Sequence, residues 1–346
     1  MSLANLAACK ALILGCEGEQ LSATERDFFA KQQPYGFILF ARNIDNPGQV
    51  QKLVRDLREA VGREDAPFLI DQEGGRVQRL RSPHWFEASS FGSFGRMFDK
   101  DPMQAEQALA LTTRLIANDL KGLGISVNCT PCLDLSLPET AAAIGDRAFS
   151  GDPAIVARLG AIVADEMASM GIMPVIKHMP GHGRGTVDSH HQLPTVSATL
   201  DQLLATDFVP FKALSHLPWG MTSHIVFDQI DPDHPATQSS IVIEDIIRGA
   251  IGFDGLLLTD DLNMNALSGD LPARAEKALE AGVDIVLHCS GKLAEMRDVA
   301  QVCPTLSDKA IARITGGQDI FNRNTIESDP LQDLAQLNSL FASVKD

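Results

Sequence analysis

Eight short, unbroken apolar runs, spaced by amphipathic segments, constrain the fold of this chain more than any other feature. They cover 11–15, 36–40, 68–70, 125–127, 173–176, 220–224, 256–259 and 284–287. Each is rich in Ile, Leu or Val and ends in polar or glycine-bearing residues. A strand with one wet face alternates apolar and polar residues, whereas a strand covered on both faces is continuously apolar, as in a parallel sheet. Between the runs, 49–61 places Val50, Leu53, Val54, Leu57 and Val61 on one helical stripe. Segments 154–170, 200–214 and 273–281 repeat that pattern, and Pro153 and Pro272 suit first helical turns. Eight strand–helix alternations predict an α/β fold, a (β/α)8 TIM-type barrel, with a doubly wound sheet as the alternative. Residues 82–104 read as a long connection rich in Phe, Ser and Gly, and 318–346 as a C-terminal helical extension. No linker divides the 346 residues, so a single domain is expected.

Composition narrows the partners. The net charge is −16 and no basic run interrupts it, which argues against nucleic acid and anionic membrane surfaces. No apolar stretch reaches transmembrane length. Leu6-Ala7-Ala8-Cys9 resembles a lipoprotein cleavage site, but five residues without a basic group precede it. The segment 11–15 reads instead as the first buried strand, and a cytoplasmic location is expected. Of the six cysteines only Cys129 and Cys132 are closely spaced. They follow an apolar run rather than opening a helix, and no second ligand pair accompanies them. Structural thiols are expected, with no metal and no cofactor.

The chemistry concentrates in Lys177 to Pro194, KHMPGHGRGTVDSHHQLP, which holds four histidines and three glycines just after an apolar run. A flexible, titratable loop fed by a strand is where a scaffold presents catalytic groups. In an extended segment Asp188 and His190 point to the same side, and a carboxylate beside an imidazole fixes its tautomer and raises its basicity. The pair reads as a proton-transfer unit. Polar residues also gather at other predicted strand ends: Asp71, Glu73, Arg76 and Arg79 after the third, Asn128, Asp134 and Arg147 after the fourth, Lys177 and His178 after the fifth, His224 after the sixth, Asp260 and Asp261 after the seventh. Barrel enzymes assemble their sites from such positions.

Four ordered motifs now carry a resemblance: DQEGGRVQRL at 71–80, KHMPGHG at 177–183, DSHHQLP at 188–194 and TDDLNM at 259–264. Together they resemble glycoside hydrolase family 3, and within it the single-domain bacterial β-N-acetylglucosaminidases of peptidoglycan recycling. The resemblance implies Asp260 as nucleophile, His190 as general acid/base and Asp188 as its carboxylate partner. It implies sugar-binding roles for Asp71, Arg79, Arg147, Lys177 and His178. Met179 stands where Phe is usual, and Thr259 and Asn263 replace two serines near the nucleophile; no catalytic group is lost. The implied reaction is retaining exo-hydrolysis of terminal GlcNAc through a glycosyl-aspartate, on an amino-sugar glycoside or muropeptide, by a monomer. Arg76, Arg79, Arg147, Lys177 and Arg184 form either a basic site for an anionic substrate or ion pairs with Asp71, Glu73 and Asp146. Other readings remain: β-glucosidase, transfer to phosphate, a sugar sensor, or a metal-dependent hydrolase using His178, His182, His190, His224 and Asp260.

Overall fold

The computed structural model describes residues 3–189, 192–321 and 326–342. Its main sheet is parallel and contains β1 (Lys10–Leu14), β2 (Pro34–Leu39), β3 (Phe68–Ile70), β4 (Val127–Asn128), β5 (Met173–Pro174), β6 (Ile176–Met179), β7 (Trp219–Thr222), β8 (Leu256–Asp261) and β9 (Ile285–His288). β1 pairs with both β2 and β9, so the order wraps around. β4 pairs with β5, and β6 pairs with β7. Only Val175 separates β5 from β6, and its N–H donates to the carbonyls of Asn128 and Thr130. The two segments are one interrupted barrel strand, and the sheet closes as the predicted (β/α)8 barrel.

Burial on two faces explains the unbroken apolar runs. Ile13, Ile38, Leu69, Val127, Val175, Met221, Leu258 and Ile285 fill the lumen. Their alternates Leu12, Phe37, Phe68, Ile176, Leu257 and Val286 pack outward against the helical shell. The shell helices start and stop by local chemistry. In Pro47–Val61 the Asn46 side chain accepts from Gln49 N–H, and Gly62 ends the helix at φ 64°. At the C-terminal end of the chain, helix Pro330–Ala342 lies against Pro102–Leu123, where Gln104 donates to the Leu340 carbonyl at 3.0 Å. Residue 318 falls inside the helix Asp308–Phe321.

Two expectations are corrected. The segment 200–214 is not one helix but two, Leu200–Ala205 and Val209–Ala213; Pro210 has no N–H to continue the first. The connection 82–104 contains the helix Phe91–Phe98, which buries Phe91 and Phe94. Its glycines hid it from a propensity argument, but they serve packing: a Cβ on Gly95 would lie 1.7 Å from the Phe149 carbonyl oxygen. Phe91 stacks on Phe149 at 4.5 Å, so this helix supports the segment that carries Arg147. Gly95→Ala should therefore cost stability by at least about 2 kcal/mol, read as a lowered urea midpoint, despite alanine's better helix propensity.

Candidate active site

The C-terminal ends of the strands surround a cavity of about 340 Å³ lined by Asp71, Arg79, Arg147, Lys177, His178, Asp188, Asp260 and Asp261, among others. Seven of the eight site residues expected from the sequence meet there. The eighth, His190, lies outside the described residues. Lys177 and His178 sit within β6 rather than after the strand, because pairing resumes at Ile176.

A buried ion cluster forms one wall. The Lys177 ammonium lies 2.9 Å from Asp71 Oδ1 and 2.7 Å from Glu73 Oε1. Arg147 reaches both Glu73 oxygens, Nε at 3.0 Å and Nη2 at 2.8 Å. Arg79 donates to Asp71 Oδ2 at 3.1 Å, and its guanidinium lies 5.3 Å from the centroid of the Phe40 ring. Burial alone would raise the acid pKa values. Lys177 and Arg79 outweigh it at Asp71 and hold that carboxyl well below its usual range. At Glu73, Arg147 and Lys177 likewise overcome burial and bring the pKa to about 2. Burial opposes the charge of Lys177, yet Asp71 and Glu73 raise its pKa above normal.

The second wall is a histidine network. Asp134, 1% exposed, accepts from His178 Nδ1 at 2.6 Å and from the backbone N–H of His182 at 2.6 Å. Cys132 donates its thiol proton to the same carboxylate at 3.2 Å. Arg147 Nη2 lies 3.3 Å from His178 Nε2. His178 Nε2 also lies 3.9 Å from Asp260 Oδ2. Burial opposes ionisation of Asp260, but His178 and His224 outweigh it and lower its pKa. Asp260 is thus an ionised carboxylate at a cavity wall, the state a nucleophile needs. Its neighbour Asp261 is pushed up to about 6 by burial, against backbone N–H groups of Asn263 and Cys289.

Several sequence readings are now decided. Arg76 pairs with Asp146 at 3.0 Å and Arg184 with Asp207 at 2.7 Å. With the cluster above, all five basic residues have carboxylate partners, so they form ion pairs rather than an open anion site. Two histidines of the metal reading have other contacts. His224 Nε2 contacts the Asp261 carbonyl at 3.1 Å and Nδ1 contacts Thr237 Oγ1 at 2.7 Å. His182 faces Ser189, and among the described residues the three groups close enough to share an ion are Cys132, Asp134 and His178. Cys129 and Cys132 are free and buried. Burial raises both thiol pKa values, as expected of structural thiols. The sequence reading did not assign roles to Glu73 or Asp134. Glu73 stood two residues from Asp71, on the same side of an extended segment; Asp134 was marked only by its place among the polar residues after the fourth strand.

Comparison with known proteins agrees with this geometry. The model of the glycosyl hydrolase family 3 N-terminal domain matches residues 3–315. A protein named beta-hexosaminidase from Bordetella avium is 37% identical over 277 residues, 79% of this chain and 78% of its own. Another from Alkalilimnicola ehrlichii is 37% identical over 312 residues, 88% of each. The crystal structure of NagZ from Neisseria gonorrhoeae in complex with N-trifluoroacetyl-D-glucosamine superimposes with a TM-score of 0.83 at 30% identity, covering 96% of both chains. This chain belongs to glycosyl hydrolase family 3 and is a glycoside hydrolase.

Glu73→Ala should destabilise the fold by about 3 kcal/mol, measured by urea unfolding, because it leaves Lys177 and Arg147 short of a buried partner. A second expectation concerns pH. His288 is fully buried, and burial lowers its pKa to about 4 against a weaker opposing pull from Glu295. The unfolded chain protonates this ring near pH ~6.5. The stability conferred by the neutral ring is therefore present above that pH and is lost as pH falls toward 4. Unfolding free energies measured across this window should decline with acid, and His288→Gln should flatten the decline.

Proposed function

We propose that this hydrolase is a retaining exo-β-N-acetylglucosaminidase acting on GlcNAc-terminated peptidoglycan fragments in cell-wall recycling, in the cytoplasm. The observation that carries the catalytic part of this reading is Asp260: an ionised carboxylate at the end of β8, facing a cavity whose other wall offers charged hydrogen-bonding groups. The relatives named beta-hexosaminidase and the N-acyl glucosamine in the gonococcal structure support the choice of sugar.

Asp260 attacks the anomeric carbon and forms a glycosyl-enzyme. His190 protonates the departing oxygen, then takes a proton from the water that releases the sugar; Asp188, which lines the same cavity, orients and supports its imidazole. A neutral base beside Asp260 avoids a second negative charge against an ionised nucleophile. Asp71, Arg79, Arg147, Lys177 and His178 bind the sugar hydroxyls. Because the carboxylates of the cluster are matched by cations, the carboxylates act as fixed acceptors and the cations as fixed donors, rather than as a net field.

The test is hydrolysis of 4-nitrophenyl β-GlcNAc and β-glucoside, with and without phosphate. Wild type should prefer β-GlcNAc strongly and gain nothing from phosphate. Asp260→Ala should lower kcat at least about a thousandfold, and His190→Ala about a hundredfold. Activity that survives Asp260→Ala, or that requires phosphate, contradicts this reading.

A further inference from the structure

The loop after β6 has a fixed first half, residues 180–185, and one buried histidine joins it to Ser189. Residues 180–185 are clamped to the segment that follows β4. Thr140 Oγ1 donates to the Gly183 carbonyl at 2.5 Å, and Ala141 N–H donates to the Gly185 carbonyl at 2.8 Å. A Cβ on Gly183 would meet the Leu135 carbonyl oxygen at 2.5 Å, so the two backbones touch. His182 belongs to this fixed half, with its N–H on Asp134.

The His182 ring is 3% exposed and lies edge-on to His178, with centroids 5.8 Å apart. Gly185 leaves room for it; a Cβ there would sit 3.1 Å from two ring atoms. Nδ1 is buried with no hydrogen-bond partner among the described residues, while Nε2 lies 3.2 Å from Ser189 Oγ. A buried polar ring that forgoes one of its two hydrogen bonds is costly, so its placement is explained by the bond it keeps. Ser189 is buried in turn, and its carbonyl accepts from Ala266 N–H at 3.2 Å, on the loop that leaves β8 beyond Asp260. Ser189 is the middle residue of the Asp-Ser-His triplet. It is thus tied to the fixed half of its own loop and to the loop that follows the nucleophile.

We infer that His182 is a positioning residue: its Nε2–Ser189 bond fixes Ser189 beside Asp188 of the cavity wall, and protonation of the leaving-group oxygen depends on that latch. This rests on the acid/base role proposed for His190. Burial brings the His182 pKa to about 4, against a weaker opposing pull from Asp134. The ring is therefore neutral through the range in which an imidazole acid/base operates, and the latch does not titrate with it.

The latch predicts a leaving-group signature. kcat/KM reports the first, glycosylation step, in which only poor leaving groups need the proton. His182→Leu and Ser189→Ala should lower kcat/KM about ten- to a hundredfold for methyl β-GlcNAc or a GlcNAc disaccharide. Both should leave 2,4-dinitrophenyl β-GlcNAc within about twofold, because that aglycone departs unprotonated. The double variant should be no worse than the poorer single variant. His182→Gln, which can again offer a polar group near the Nε2 position, should recover most of the loss. His190→Ala, measured alongside, fixes the reference signature. If His190→Ala shows it and the His182 and Ser189 variants lose both substrates equally, or neither, the latch is overturned while the acid/base reading stands. If His190→Ala itself shows no leaving-group dependence, both fall.

Discussion

The ammonium of Lys177 is the group around which this site is organised. It sits at the mouth of the barrel, 2% exposed, where an unpaired cation would be prohibitively costly. Two carboxylates from the loop after β3 meet it, and those carboxylates in turn hold Arg79 and Arg147. The polar backbone of that loop is satisfied from inside. Gln72 accepts from the N–H groups of Arg79 and Leu80 and exchanges two bonds with Asn128 of β4. The third, fourth and fifth barrel strands are therefore bridged across the cavity floor by charge and amide bonds rather than by apolar contact. A rigid, charge-matched wall results, suited to holding a polyhydroxylated ring in one orientation.

Asp260 is the exception in this charge-matched mouth. Its carboxylate accepts the Asp261 backbone N–H at 2.8 Å, and His178 Nε2 lies 3.9 Å away, with no Lys or Arg among its close ion-pair partners in the described residues. A carboxylate bound tightly to Arg or Lys is a poor nucleophile, since its lone pairs are occupied. Asp134 does a different service: it holds His178 Nδ1 at 2.6 Å and so fixes the ring with Nε2 toward Asp260. The distinction between binding carboxylates and reacting carboxylate is thus written in their partners. Asp71 and Glu73 are held by cations and Asp134 by a histidine, whereas Asp260 faces the cavity without a Lys or Arg partner among the described residues.

The fold was legible because a closed parallel barrel buries both faces of every strand, and that leaves an unmistakable mark on the chain. The runs 11–15, 36–40, 68–70 and 256–259 fall on β1, β2, β3 and β8 within a residue or two. Helices that depend on tertiary contact were harder to see. Phe91–Phe98 contains two glycines that propensity counts against it but that the Phe149 and Asp146 backbones require. The candidate site was legible through its motifs, whereas its electrostatics were not. Whether five basic residues make a positive pocket or five ion pairs depends on side-chain geometry. Here 70 residues separate Arg76 from Asp146, and 106 separate Lys177 from Asp71. The role of Asp134 was hidden for the same reason, since its partners His178 and His182 lie 44 and 48 residues away.

The central claim is that one open carboxylate, Asp260, bonds covalently to the sugar during turnover. The most direct measurement is to incubate the protein with a 5-fluoro-β-N-acetylglucosaminyl fluoride, whose ring fluorine slows release of the intermediate, and to map the adduct by mass spectrometry of a peptic digest. One sugar on the peptide containing Asp260, absent from Asp260→Ala, is the predicted result. An adduct on another residue, or inactivation with no adduct at all, contradicts the account.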